Sequence, residues 1–388
     1  MIGTGLERLL DDDRQLAGRR FGVLAHGASV TARLMPIHLE LARRGLQPVA
    51  LFGPEHGYYG VEQDMVASRA ERDPWTGAPV VSLYGEDEGS LRPRCGAFAG
   101  LDLLLVDLQD VGARYYTFAA TAVWAARAAL AAGCEVWVLD RPNPLGGEIV
   151  EGGGIEAGFE SFVGAFSMPV RHGLTIGEIV RLIARREGWA ATPRIFALQG
   201  WRREMLWPDT RLTWIAPSPN MPSPRTAEIY PGGCLIEATE LSEGRGTTRP
   251  FQLAGAPGID PLALAERLAA ARLEGVRFVP TYFKPQFQKH RGEVCGGVEI
   301  VVTEAAKFRP YRCGIELLAA CRAVAPSAFR WRAAPYEFVI DRPAIDLLTG
   351  GEEFRTALEA GDGLADWLAT WAVAEDAFRA ERAEILLY

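Results

Sequence analysis

Leu101-Asp102-Leu103-Leu104-Leu105-Val106-Asp107-Leu108 is an almost unbroken apolar run of strand length that ends on an acidic residue. A strand without polar alternation has both faces covered, as a central strand of a parallel sheet does. The flanking sequence repeats the theme. Arg20–His26 (RFGVLAH), Pro48–Phe52 (PVALF), Pro79–Tyr84 (PVVSLY) and Glu135–Leu139 (EVWVL) are further short apolar runs. Segments of helical spacing separate them: Leu34–Arg44 stops at Gly45, and the alanine-rich Thr117–Ala132 stops at Gly133. Strands alternating with helices predict an α/β fold, a largely parallel sheet with helices on both faces.

Beyond Asp140 the texture changes. Residues 141–173 are rich in Gly and Pro and predict a long excursion without a helix. Thr175–Arg186 resumes a helix, with Thr175 as cap and Glu178 three residues on, the capping-box pattern. Arg194–Leu198 and Leu212–Ala216 read as strands. From about residue 255 the pattern shifts to a helix near 260–273, strands near 276–283 and 296–303, and helices near 312–323 and 352–383. The expected organisation is a domain over 1–254 and a smaller α+β domain over 255–388. No flexible linker separates the two parts, so tight packing follows.

The 388 residues are 48% hydrophobic and 23% charged, ordinary for a globular protein with a sizeable core. With 41 basic and 49 acidic side chains the net charge is 41 − 49 = −8, which argues against nucleic acid and acidic membranes as partners. The basic residues are nearly all arginine. None of Lys284, Lys289 and Lys307 precedes Ser or Thr, so no P-loop is present. GxSxG, HExxH and CxxC are also missing, which removes the common serine-hydrolase and zinc signatures. Six scattered cysteines form no disulfide framework, and the longest apolar stretch, Tyr115–Ala126, is too short to span a membrane. The amino terminus has no signal-peptide pattern, so a cytoplasmic location is expected unless a leader has been removed.

Ligands of open α/β sheets bind where loops converge at the carboxyl ends of strands. Here those loops are polar and rich in Gly and Pro: Gly53-Pro54-Glu55-His56-Gly57 after PVALF, Gln109-Asp110-Val111-Gly112 with Arg114 and Tyr116 after the central strand, and Asp140-Arg141-Pro142-Asn143 after EVWVL. Pro217–Pro222 (PSPNMP) and Ser242–Pro250 (SEGRGTTRP) add two more. Each has a plain structural explanation: a helix cap for Asp140 or Asp107, and a tight turn around an ion-paired Arg245 for GRGTT. Glu55 stands out. It follows a buried strand between Pro54 and Gly57, and a partly desolvated carboxylic acid facing a cleft can serve as general acid. A metal site built from His56, Asp107, Asp110 and Asp140 is the rival use of the same cluster, and a sugar-binding module without catalysis is a third.

Taken in order, FGPEHG, DLQDVGARYYTF, LDRPNPLGG, SFVGAFSMPVRHGLTIGE, PSPNMP and GRGTTRPF resemble the NamZ-type exo-β-N-acetylmuramidases, and the similarity runs from about residue 20 to the end. The resemblance implies a Rossmann-like catalytic domain, a smaller carboxyl-terminal domain closing over its site, and no nucleotide cofactor. It implies release of non-reducing terminal β-1,4-linked N-acetylmuramic acid from peptidoglycan fragments, with Glu55 as acid/base. Asp110 is the candidate second catalytic group, as nucleophile or base, unless the substrate's 2-acetamido oxygen attacks. The candidate substrate-binding residues are His26, His56, Gln109, Arg114, Tyr116, Asp140, Asn143, His172, Asn220, Glu240 and Arg245. Among them Arg114, Arg245 and His172 are the candidates for pairing with the lactyl carboxylate, an arginine fork being the better match. Two departures bear on specificity: His26 stands where the family has asparagine (LAHGAS for LTNQTG), and Glu240 replaces the asparagine of a Thr-Asn pair before GRGTT.

Overall fold

The structure, a computed structural model, describes residues 2–62, 71–85 and 87–388. The strands are β1 (Phe21–Ala25), β2 (Ala50–Gly53), β3 (Glu71–Arg72), β4 (Pro79–Ser82), β5 (Leu103–Asp107), β6 (Glu135–Leu139), β7 (Arg194–Phe196), β8 (Leu253–Ala256), β9 (Val276–Phe283) and β10 (Cys295–Val302). The first seven form one sheet in the order β3-β4-β2-β1-β5-β6-β7. All its pairings are parallel except that of β3, a two-residue antiparallel edge on β4.

The central run behaves as its composition demands. All five residues of β5 are buried, and alternate side chains enter different layers. Leu104 and Val106 pack with Leu24, Val136 and Val138 beneath the helices Phe118–Ala131 and Ile176–Arg186. Leu103 and Leu105 pack with Val23, Trp137 and Leu139 beneath Gly5–Leu10 and Ile37–Arg43. Each such leucine contributes about 1.5–3 kcal/mol by leaving water, so two covered faces rather than one explain the absence of alternation. The order reverses direction at β1, which opens a crevice above the carboxyl ends of β1 and β5.

The second sheet, β8-β10-β9, is antiparallel. Its Ala254, Ala256, Val298, Ile300 and Val302 join the same continuous core as the helix Phe118–Ala131. The helices Pro224–Gly233 and Pro310–Val324 cross at Gly232 and Gly314, where a methyl on either residue would collide with the other helix's backbone. Among the described residues no helix is long and apolar enough to cross a membrane.

Two expectations need correction, and one helix went unread. Leu212–Ala216 is not a strand; Trp214 packs edge-on against Trp207 and donates its Nε1 hydrogen to the Met221 carbonyl at 3.0 Å, so the apolar pattern is used for side-chain burial without a ladder. The helix expected over 352–383 is two, Glu353–Ala360 and Leu364–Ala383, parted where Gly361 and Gly363 both take positive φ (82° and 77°). The helix Pro224–Gly233 and the 3-10 turn Cys234–Ala238 were hidden by Pro231, Gly232 and Gly233, although Ser223 caps the first by accepting from Thr226 N.

Candidate active site

After β2 the chain turns sharply through Pro54-Glu55-His56-Gly57. His56 takes a left-handed φ of 68°, and its Nδ1 lies 3.0 Å from the Glu62 carbonyl. This fixes Glu55, which is 7% exposed and accepts a hydrogen bond on Oε2 from the Thr117 hydroxyl at 2.7 Å. Thr117 stands at the head of the helix Phe118–Ala131, so a strand end and a helix start hold the carboxyl between them.

Glu55, His56 and Thr117 line one wall of a cleft of about 40 Å³. A hexose-sized ligand needs several times that room, so binding requires the cleft to open. Its floor is aromatic. Tyr116 tilts against Phe118 (4.7 Å between ring centres) and meets Tyr230 edge-on (5.8 Å), which meets Phe251 in turn (4.9 Å). Ser218 and Asn220 of the PSPNMP loop add polar groups. The far wall carries Glu237, Arg245, Tyr336 and Glu337. Arg245 pairs with Glu237 (Nη2–Oε1 3.0 Å) and Glu243 (Nη1–Oε1 3.3 Å), and lies over the Phe251 ring. Burial pushes the Glu243 carboxyl up, but Lys289 (3.0 Å) and Arg245 outweigh it and hold it below the usual range. Tyr336 donates its hydroxyl to Glu237 Oε2 at 3.2 Å.

Of the expected site residues, Glu55, His56, Tyr116, Asn220 and Arg245 meet in this cleft. The others do not line it, and each has work elsewhere. Arg114 is buried and donates to four backbone carbonyls, those of Met168 and Leu348 at 2.7 Å, Gly153 at 3.0 Å and Gly154 at 3.2 Å. It therefore clamps the 141–173 excursion to the carboxyl-terminal part. Asp110 accepts from Gly112 N at 2.7 Å on Oδ2, and the same oxygen is 3.6 Å from His172 Nε2; both side chains are buried off the cleft wall. Asp140 receives the hydroxyls of Thr175 (2.6 Å) and Tyr388 (2.7 Å) and the Gly177 amide (2.8 Å). Burial raises it to about 6 against these donors. Asn143 bridges Leu174 O and Leu145 N, while Gln109 Nε2 serves the Asp110 and Pro142 carbonyls.

His26 is one layer below the cleft, against the Phe118 ring, and accepts from Gln109 N at 2.9 Å. Burial, then Arg141 and His56, lower it to about 3, so the ring is neutral. Glu240 is exposed, joined to its surroundings by backbone bonds. The added acidity expected near the pocket from Glu240 comes instead from Glu237 and Glu337, which sequence reasoning missed. A clue was present for Glu237, a lone charge in the apolar run CLIEA, since such a charge is buried only with partners. Asp107 is spent on a bidentate pair with Arg141 (2.5 and 2.9 Å). A larger hollow of about 130 Å³, lined by Ala28, Gln109, Arg141 and Trp207 at the β1/β5 crevice, carries no carboxylate among the described residues of its wall. Among the described residues no three His, Cys, Asp or Glu side chains are grouped so as to hold a metal ion.

A parallel sheet whose strand-end loops bring a hydroxyl-bound carboxylic acid, an aromatic floor and an ion-paired arginine into one cleft has the parts of a sugar-cleaving enzyme, and the chain is a glycoside hydrolase. It belongs to the NamZ exo-β-N-acetylmuramidase family: the amino-terminal family model matches residues 21–225 and the carboxyl-terminal one residues 228–388. The chain is similar to the peptidoglycan β-N-acetylmuramidase NamZ of Bacillus subtilis (strain 168), at 37% identity over 391 residues that cover 100% of this chain and 91% of that protein. Among solved structures it resembles a DUF1343 family protein from Bacteroides fragilis at 30% identity with a TM-score of 0.88, covering 100% of this chain and 99% of that one. A second DUF1343 protein of that organism shares the fold (TM-score 0.76, 24% identity, 100% and 99% covered).

Proposed function

We propose that the enzyme is an exo-acting β-N-acetylmuramidase that releases non-reducing terminal β-1,4-linked N-acetylmuramic acid from peptidoglycan fragments, with Glu55 as general acid/base. The observation that carries this reading is the end-to-end similarity to the Bacillus subtilis enzyme, together with the placement of Glu55 in the cleft. Glu55 accepts a hydrogen bond from the neutral Thr117 hydroxyl and makes no ion pair among the described residues. Once protonated it gives that proton to the glycosidic oxygen. Of the three cationic candidates for the lactyl carboxylate only Arg245 lines the cleft, and its fork suits a carboxylate.

One observation favours a second reading, an amino-sugar glycosidase of different specificity. Among the described residues, Glu55, Glu237 and Glu337 share the cleft with a single arginine, which is adverse to an anionic sugar. Release of aryl alcohol from an aryl β-N-acetylmuramide and from the matching β-N-acetylglucosaminide decides between them. The main reading expects turnover of the muramide, with a loss in Glu55→Gln that grows as the departing alcohol becomes more basic. Preference for the glucosaminide supports the second. Turnover of neither refutes both.

A further inference from the structure

Cleaving a β-glycoside requires a proton for the leaving oxygen and a negative group against the positive charge that develops at C1. Glu55 serves the first need. Asp110 faces Gly112 and His172 off the cleft wall, Asp107 is paired with Arg141, and Asp140 is held by Thr175, Gly177 and Tyr388. Besides Glu55, the carboxylates lining the cleft among the described residues are Glu237 and Glu337. Glu337 rides on the Tyr336–Val339 turn, with φ at 45°. Glu237 projects from the buried turn Cys234–Ala238, fixed on either side by Ile236 and Ala238, both in the core.

We infer that Glu237 is the second catalytic carboxylate of this site, the nucleophile opposite Glu55. The inference rests on the glycosidase reading and deepens it. The two carboxyls have the contrasting surroundings that an acid and a nucleophile need. Arg245 at 3.0 Å on one Glu237 oxygen and the Tyr336 hydroxyl at 3.2 Å on the other aim it. Glu55 accepts instead from the neutral Thr117 hydroxyl and makes no ion pair among the described residues. Both carboxyls line the same cleft, and the retaining reaction written here requires them about 5–5.5 Å apart with the sugar bound. In the first step Glu55 passes its proton to the leaving oxygen, the C1–O bond breaks, and a Glu237 oxygen bonds C1 as the alcohol departs. In the second, water bonds C1 and gives a proton to the Glu55 carboxylate. The C1–Glu237 bond breaks and its electron pair returns to Glu237. One water is consumed, both carboxyls are restored, and the β configuration is retained.

The test uses the full chain with an aryl β-N-acetylmuramide, comparing wild type, Glu237→Gln and Glu237→Ala. Glu237→Gln keeps the volume and the hydrogen-bonding oxygen, so its melting temperature controls for folding. Both variants are expected to lose at least about 10³-fold in kcat with little change in KM. Azide should restore turnover to Glu237→Ala as the α-glycosyl azide, whereas Glu55→Ala should give the β-azide. The first sugar released by wild type, followed by NMR, should be the β anomer. Independently of any variant, a 5-fluoro muramyl fluoride should label wild type on the peptide bearing Glu237. Label on another residue, an α first product, a β-azide from Glu237→Ala, or a folded Glu237→Gln within tenfold of wild type would overturn the assignment. So would tight inhibition by a muramic thiazoline without labelled protein, which marks attack by the 2-acetamido oxygen. Wild type inert on both aryl substrates would instead refute the glycosidase reading itself.

Discussion

Replacing Glu55 by Gln removes the proton donor of the first step and the base of the second while leaving the shape of the site almost unchanged. The amide is the same size, and its oxygen can still accept the Thr117 hydroxyl that now binds Oε2 at 2.7 Å. General acid catalysis is worth about 10²–10⁴-fold, or roughly 3–5 kcal/mol at 1.36 kcal/mol per tenfold. The hydrogen bond to Thr117 is worth about 0.5–1.5 kcal/mol, so Thr117→Val should lower turnover only about two- to thirteenfold. The two effects differ enough to be told apart, and the leaving group separates them further. A sugar alcohol needs the proton to depart, while a dinitrophenolate does not. The assay is kcat/KM on a muramyl disaccharide and on a dinitrophenyl muramide for wild type, Glu55→Gln and Thr117→Val. Glu55→Gln should lose its full 10²–10⁴-fold on the disaccharide and less than about tenfold in the bond-breaking step on the dinitrophenyl substrate. Equal losses on both substrates, or a loss below tenfold on the disaccharide, would refute Glu55 as the acid.

Other expectations follow from the remaining buried charges. Arg245→Lys should lower the ratio of muramide to glucosaminide turnover by about tenfold or more, since an ammonium cannot reproduce the fork; an unchanged ratio in paired kcat/KM measurements counts against lactyl recognition by Arg245. Arg114→Met should cost about 3 kcal/mol or more in denaturant unfolding, because four buried carbonyls lose their donor, while the folded enzyme keeps its preference between the two sugars. Glu151 supplies a pH test: burial raises its carboxyl to about 7, against the Arg312 amide that it accepts at 2.7 Å. The folded chain therefore holds a proton that the unfolded chain has shed above its ordinary value of about 4.3. Stability from this group is complete below about 4.3 and is lost as pH rises to about 7, on the order of 3 kcal/mol in all. Glu151→Gln has no such loss, so its melting temperature should gain on wild type between pH 4.5 and 7.5; parallel profiles would refute the assignment.

Much of the sheet was legible because its cause is local. An apolar run too uniform for one buried face, as in Leu101–Leu108, requires two. The Thr175–Glu178 box closes as its spacing says, Thr175 Oγ1 accepting from Glu178 N and Glu178 Oε2 from Thr175 N. Part of the site was legible too, because a loop at a strand's carboxyl end says where a backbone lies. It does not say where a side chain points. Arg114 and Tyr116 are two residues apart, yet Tyr116 lines the cleft and Arg114 turns into the protein to serve carbonyls up to 234 residues away.

By itself the sequence determined the α/β layering, the family, and Glu55 at the end of β2. Hydrophobic period, caps and a stiff Pro-Glu-His-Gly turn act over a few residues and are written in order along the chain. Only the tertiary structure decided that Asp110, Arg114, His172 and Glu240 lie off the cleft, and that Glu237 stands in it between Arg245 and Tyr336, a tyrosine 99 residues further on. The physical reason is that a buried charge takes its function from the groups around it, and those groups come from distant parts of the chain that meet only when it folds.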